Sequence, residues 1–95
     1  MKVIWTHQAQ KDYDQNIDYL LSEWSERVAR NFIDQVNLTI QLLSINPYLY
    51  QQSNYQNIRK AFITKQISLF YKPENERIVL IRFWNNSGST ESLLL

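Results

Sequence analysis

The chain has no cysteine, which removes a disulfide framework, a thiolate zinc site and a cysteine nucleophile together. Stability must come from packing, and the composition suits a reducing compartment. Histidine occurs once, at His7, so an imidazole-based metal cluster has too few donors, and the expectation is no metal and no cofactor. Glycine also occurs once, at Gly88, which excludes a glycine-rich phosphate loop. No apolar run approaches the roughly 18 residues that span a bilayer. The start, Met1 to His7, lacks the long apolar stretch of a secretion signal. These absences are read as those of a cytoplasmic protein.

What is present is globular: 95 residues, 44% hydrophobic and 14% aromatic, enough for one domain with one apolar core. The net charge is only +1, but it is unevenly spread. Residues 1–45 carry four Lys/Arg against six Asp/Glu, and residues 46–95 carry six against three. The second half is therefore the one suited to an anionic partner.

Lys2 to Trp5 is a short apolar, β-branched run that predicts a strand. Thr6 is placed to cap a helix in which Ala9, Tyr13, Ile17, Leu20, Leu21 and Trp24 recur at helical spacing. Ser25 is placed to cap a second, with Val28, Ala29, Phe32, Ile33, Val36, Ile40 and Leu43 as its apolar stripe. So short a connection predicts an antiparallel helical hairpin. Asn46-Pro47 ends the second helix, because the residue before proline is pushed out of helical geometry.

Residues 48–56 read as a polar, tyrosine-rich loop. Three strand-like runs follow, Asn57 to Ile63, Gln66 to Lys72 and Arg77 to Trp84, with Pro73-Glu74-Asn75-Glu76 as the last turn. Alternation places Ile67, Leu69 and Tyr71 on one face of the middle strand. In the last it places Val79, Ile81 and Phe83 opposite Ile78, Leu80, Arg82 and Trp84. The fold class expected is α+β: an N-terminal strand, a two-helix antiparallel hairpin, then a three-stranded antiparallel meander, the helices covering one face of a short antiparallel sheet. The domain is set at residues 1–86, followed by a polar tail, 87–95, that ends in Leu93-Leu94-Leu95. Those leucines either fray, pack back or meet a partner.

The helix charges read as solvated support. Asp14 and Asp18 share a face, and Glu23–Arg27, Glu26–Arg30 and Arg30–Asp34 are spaced for surface ion pairs. The candidate binding groups lie in the sheet half: Arg59 and Lys60, Lys65, Lys72, Arg77 and Arg82, with Trp84 and Asn85-Asn86 beside them. Cations on strands also guard sheet edges against aggregation; as a set they suit phosphates or an acidic peptide.

The order of elements, with Ala9, Asp12, Ile17 and Tyr19 in the first helix, Asn46-Pro47, Ile58-Arg59-Lys60 and Ile67-Ser68-Leu69-Phe70-Tyr71, resembles the RelE/ParE toxin superfamily over residues 2–86. The resemblance implies the toxin of a type II toxin–antitoxin module, of the kind called plasmid stabilisation proteins. Such a toxin is growth-inhibiting and is neutralised by a cognate antitoxin in a hetero-oligomer. RelE-like members cleave mRNA on the ribosome with basic residues and a C-terminal Arg, whereas ParE-like members inhibit DNA gyrase without cleaving nucleic acid.

In this chain the ribonuclease set reduces to Arg59, Lys60, Lys65 and Arg82. Ala61 and Ile63 stand where further cations belong in that family, and Asn86 stands where its C-terminal Arg belongs. Phe83-Trp84-Asn85-Asn86 is similar to a Phe-Trp-Asp-Asn-Arg-Gln ending of another branch. With no C-terminal cation or titratable group to stabilise the reaction, the expectation is a ParE-like, non-enzymatic toxin. Its target- or antitoxin-binding residues are expected among Arg59, Lys60, Arg82, Trp84, Asn85 and Asn86. The alternatives are a divergent mRNA interferase and an inactive member acting only as a binding module.

Overall fold

The computed structural model describes residues 1–55 and 57–86; the tail expected at 87–95 lies outside the described residues. The elements run β1 (Lys2–Trp5), α1 (His7–Glu23), α2 (Glu26–Ile45), β2 (Arg59–Phe62), β3 (Ile67–Glu74) and β4 (Arg77–Asn85).

Both helices start where their caps predict. Thr6 Oγ1 accepts from the Ala9 N–H at 3.0 Å and donates to the Leu80 carbonyl at 2.8 Å, so one hydroxyl begins α1 and ties it to the sheet. Ser25 Oγ accepts from the Val28 N–H at 3.2 Å. The α2 helix stops at Asn46, whose side chain accepts from the Tyr48 N–H at 3.1 Å. Trp24 does not continue the apolar stripe of α1: it is the residue at which the helix ends, and it is 59% exposed.

The sheet has the order β1-β4-β3-β2. The meander of β2, β3 and β4 is antiparallel as expected. The sheet is not wholly antiparallel, however, because β1 joins its edge parallel to β4, with Lys2 opposite Arg77 and Trp5 opposite Leu80. The helical hairpin and the meander between β1 and β4 let the chain return in the same direction, as a parallel pair requires.

A β-bulge between Phe70 and Tyr71 changes which residues face the core. Phe70 pairs with Arg82 but Tyr71 pairs with Leu80, leaving Ile81 as the extra residue on β4. Strict alternation in β4 therefore fails across Ile81. Ile78, Leu80 and Phe83 are all buried, on the same side as Leu69 and Tyr71, while Val79 and Ile81 are only half-buried. The final turn is also tighter than expected. Pro73 and Glu74 belong to β3, and Asn75 and Glu76 alone turn the chain, with φ of 45° and 61°. Paired positive φ values match the twist of a two-residue hairpin. Pro73 lies beyond the end of β2, so its missing N–H breaks no bond to that strand.

The core joins Ala9 and Leu20 of α1 and Ala29, Phe32, Val36 and Leu43 of α2 to the inner side of the sheet. Trp5, Tyr13, Phe32 and Phe83 interlock at one end, the Trp5–Tyr13 rings edge-on at 5.2 Å and the Trp5–Phe83 rings stacked at 5.5 Å. Such pairs add about 0.5–1.5 kcal/mol each beyond the area they bury. Part of the segment read as a loop also pairs with the sheet. The Lys60 N–H donates to the Gln51 carbonyl at 3.0 Å and Ser53 N–H to the Ile58 carbonyl at 2.9 Å, which covers the outer edge of β2.

The loop is held from below by Tyr71, a fully buried residue whose hydroxyl donates to the Pro47 carbonyl at 3.0 Å. Burial pushes the Tyr71 phenol above its ordinary value of 10.0, outweighing the lowering pull of the Tyr50 backbone and Arg59. The unfolded chain therefore ionises first, so this contribution is complete below about pH 10 and is lost as pH rises through the folded value. Tyr71→Phe is expected to cost about 1–2 kcal/mol at neutral pH, from the lost bond and the unpaired carbonyl, and to flatten the alkaline fall in stability. Urea unfolding from pH 7 to 11 measures both; a slope above pH 10 unchanged by the substitution would assign the alkaline loss elsewhere, Tyr13 being raised by burial as well.

Candidate functional site

β1 pairs with β4 only as far as Leu80. From Ile81 onward that edge of β4 has no strand beside it among the described residues, and α1 takes the place of one. Two polar residues on the buried side of α1, Asp12 and Asn16, perform the substitution. Asp12 Oδ2 accepts from the Phe83 N–H at 3.1 Å and from Arg82 Nε at 2.6 Å, and its Oδ1 accepts from Arg82 Nη2 at 3.1 Å. Gln8 Nε2 adds a fourth donor at 2.8 Å. Asn16 Nδ2 donates to the Phe83 carbonyl at 3.4 Å and to the Asp12 carbonyl at 2.9 Å, and its Oδ1 accepts from Asn85 Nδ2 at 3.3 Å.

Asp12 and Asn16 thus meet both backbone groups of Phe83, as a neighbouring strand would. The Asp12 side chain is 5% exposed and that of Arg82 22%. This is a two-pronged, charge-assisted contact in a mostly dry setting, the geometry in which an Arg–carboxylate pair is strongest.

The pair also aims Arg82 along the sheet face away from the helices. There the cross-strand row Lys60–Phe70–Arg82 lies next to the row Phe62–Ser68–Trp84. Lys60 Nζ stands 4.8 Å from the centre of the Phe62 ring and 5.7 Å from that of Phe70, and Arg82 Cζ stands 5.4 Å from Trp84. Each contact is a cation over a π-face. Phe70 is covered edge-on by Tyr55 and is 5% exposed, whereas Phe62 is 57% exposed. The Ser68 hydroxyl, buried between these aromatics, has no hydrogen-bond partner.

The candidates expected from the sequence are thereby divided. Lys60, Arg82 and Trp84 share the outer face. Arg59 does not join them: neighbouring residues of a strand face opposite sides, and its guanidinium donates to the Tyr50 carbonyl at 2.8 Å and covers the Tyr48 ring at 4.8 Å. Lys65 sits in the turn between β2 and β3, across a groove from Trp24 and Val28. Lys72 and Arg77 flank Glu74 at 3.4 and 3.0 Å. The Arg77 hydrogen bond in particular pulls the Glu74 carboxyl below its ordinary value. Asn85 turns to Asn16, and Asn86, whose N–H donates to the Gln66 carbonyl at 2.8 Å, ends exposed at the tip of the sheet. The four residues of the ribonuclease set do not converge on one point. Of the spaced helix pairs, Glu26–Arg30 closes at 2.7 Å between exposed side chains. Asp14 and Asp18 are solvated.

Sequence reasoning reaches Asp12 only through a family motif, and it does not reach Asn16 or the buried Ser68 hydroxyl. The signal for the first two is a pair of polar residues four apart on the same side as Ala9 and Leu20, which marks buried hydrogen-bonding groups in an apolar stripe.

A mixed four-stranded sheet backed by a helical hairpin is an α+β fold shared with solved toxins of the RelE/ParE superfamily. The chain matches the family model of the ParE toxin of the type II toxin–antitoxin system parDE over residues 3–88, and it belongs to that family. No curated protein matches it at the sequence level. Among solved structures, the chromosomal ParDE toxin–antitoxin system of P. aeruginosa superposes with a TM-score of 0.75 at 17% identity, covering 90% of this chain and 95% of the other. A copper-bound mutant toxin from Helicobacter pylori gives 0.66 at 20% identity, with 92% and 96% covered. The YoeB/ParE toxin of Agrobacterium tumefaciens gives 0.65 at 17% identity, with 90% and 98% covered. At these identities the likeness is one of fold.

Removing one member of a buried ion pair leaves the other charged and unpaired. Asp12→Ala is expected to cost about 3–5 kcal/mol, since it strands both Arg82 and the Phe83 N–H. Urea denaturation measures the loss; a cost under about 1 kcal/mol, the scale of a surface pair, would mean that the carboxylate does not hold the sheet edge.

Proposed function

We propose that this toxin acts by binding a protein target, DNA gyrase, without cleaving nucleic acid, that it does so in the cytoplasm, and that a cognate antitoxin neutralises it by direct binding. The observation that carries this reading is the commitment of Arg82. A cation that clamps a scissile phosphate must be free to meet charge as it develops, and Arg82 is already paired through both prongs with Asp12. The corner beyond it, Trp84, Asn85 and Asn86, supplies no acid or base. What remains on the outer face is a docking surface of aromatic rings and cations, the side chains that anchor protein interfaces. An antitoxin partner is supported by family membership and by fold neighbours described as a ParDE toxin–antitoxin system and a YoeB–YefM complex.

One observation favours a second reading, a divergent mRNA interferase: the rows Lys60–Phe70–Arg82 and Phe62–Ser68–Trp84 alternate charge with π-faces, an arrangement that also suits single-stranded RNA. Induced expression separates the two. Growth arrest is expected, relieved by co-expression of the antitoxin, with purified toxin inhibiting supercoiling by gyrase and with primer extension showing no codon-phased cuts in translated mRNA. Codon-phased cuts would establish the interferase instead. Harmless expression with tight antitoxin binding would leave only a binding module.

A further inference from the structure

The first half of α2 turns charge toward solvent: Glu26, Arg27, Arg30 and Asp34 are all exposed. The second half carries none. From Gln35 to Ile58 the sequence has no Lys, Arg, His, Asp or Glu, although Leu38, Leu42 and Ile45 are 48%, 37% and 83% exposed. These three lie outside the stripe Ala29, Phe32, Val36 and Leu43 by which the helix enters the core. Tyr48 and Leu49, in the turn that follows, are uncovered as well. Scattered exposed leucines need no explanation. Several large apolar side chains together, with no charge among them, form a patch on the order of a few hundred Å², the size at which such a patch marks an interaction site.

Spacing and flanks define the occupant. Leu38, Leu42 and Ile45 are four and then three positions apart, the alternation by which two helices seat side by side. The residues beside them are amides: Asn37 and Gln41 on one side, Gln35 and Asn46 on the other. A partner of different sequence is selected at such flanks by opposite charges. Amides both donate and accept hydrogen bonds, so these flanks meet a copy of themselves without repulsion. Charge also fixes the direction. Asp34 lies one turn before Leu38 on the same face, and with parallel helices it would face its own copy. With antiparallel helices crossing near Leu42 it lies opposite the uncharged turn 47–50.

We propose that the second half of α2 is a homodimer interface. Two copies pack this face antiparallel about a twofold axis near Leu42, with Leu38 of each copy against Ile45 of the other. The patch falls short of the about 800 Å² per partner of a standard interface, so the dimer dissociates on dilution. The face of Lys60, Arg82 and Trp84 lies on the other side of the sheet from the helices, and the pair presents it twice. The inference does not depend on the cellular target, and its test makes no use of toxicity.

Sedimentation equilibrium of the full chain over a range of concentrations reads the state directly. The mass is expected to rise with concentration from the 11.5 kDa of one chain toward twice that value. Leu42→Lys sets two cations face to face on the axis and should weaken association by about tenfold or more. Ile45→Lys, on an exposed position in the last turn where a cation suits the helix dipole, should weaken it with the circular dichroism spectrum and urea midpoint unchanged. Leu38→Glu should do the same. Mixing Leu38→Glu with Ile45→Lys should restore a dimer that neither variant forms alone, because the antiparallel arrangement brings the two new charges together. A single-chain mass maintained up to about 1 mM would overturn the proposal and leave the face to a different protein. So would a dimer that Leu42→Lys does not weaken, or variants that mixing does not rescue.

Discussion

β1 covers β4 for four residue pairs and then becomes α1, and beyond that point a single carboxylate, Asp12, stands in for the missing strand. The rest of β4 would otherwise expose backbone groups to an interior that cannot hydrate them, at about 1–3 kcal/mol for each unpaired group. Asp12 and Asn16 remove that cost by bonding the N–H and C=O of Phe83. Because the same carboxylate takes Arg82, the contact fixes the helix, the strand and the last cation of the sheet relative to one another. The bulge at Ile81 lies between the part of β4 paired with β1 and the part paired with α1. The strand changes partner and face within the same few residues.

That constraint bears on function through Arg82 and Trp84. Holding the guanidinium from behind, Asp12 leaves its π-contact with Trp84 as the feature turned outward. Lys60 is likewise placed over Phe62 and Phe70. On the proposed reading these cations stiffen and polarise an aromatic surface instead of acting on a phosphate, and the chemistry of recognition is separated from the chemistry of cleavage. The apolar face of α2 lies on the helix side of the sheet, so the two surfaces can be engaged independently.

Local signals in the sequence are enough to locate the helices, because Thr6, Ser25 and Pro47 act within one turn of themselves. The antiparallel meander is legible for a similar reason: short turns force consecutive strands to pair. The parallel partnership of β1 with β4 is not, since it joins residues more than seventy positions apart and has no local mark. Nor is the bulge, and missing one residue inverts the assignment of Ile78 and Leu80. In the candidate site, charge and composition group Lys60, Arg82 and Trp84, which do share a face, but they also group Arg59 with Lys60 although adjacent strand residues point apart. The role of Asp12 lies outside composition altogether, because a carboxylate on a helix gives no sign of which distant N–H it meets.

Native-state hydrogen exchange at the Phe83 amide is the sharpest probe of this arrangement. If Asp12 replaces a strand at this edge, the amide exchanges only through global unfolding, as slowly as amides in the middle of β3, and the pairing of its hydrogen to a side chain makes no difference. Exchange at Phe83 as fast as at an open sheet edge, with β3 still protected, would show that the helix carboxylate does not stand in for a strand.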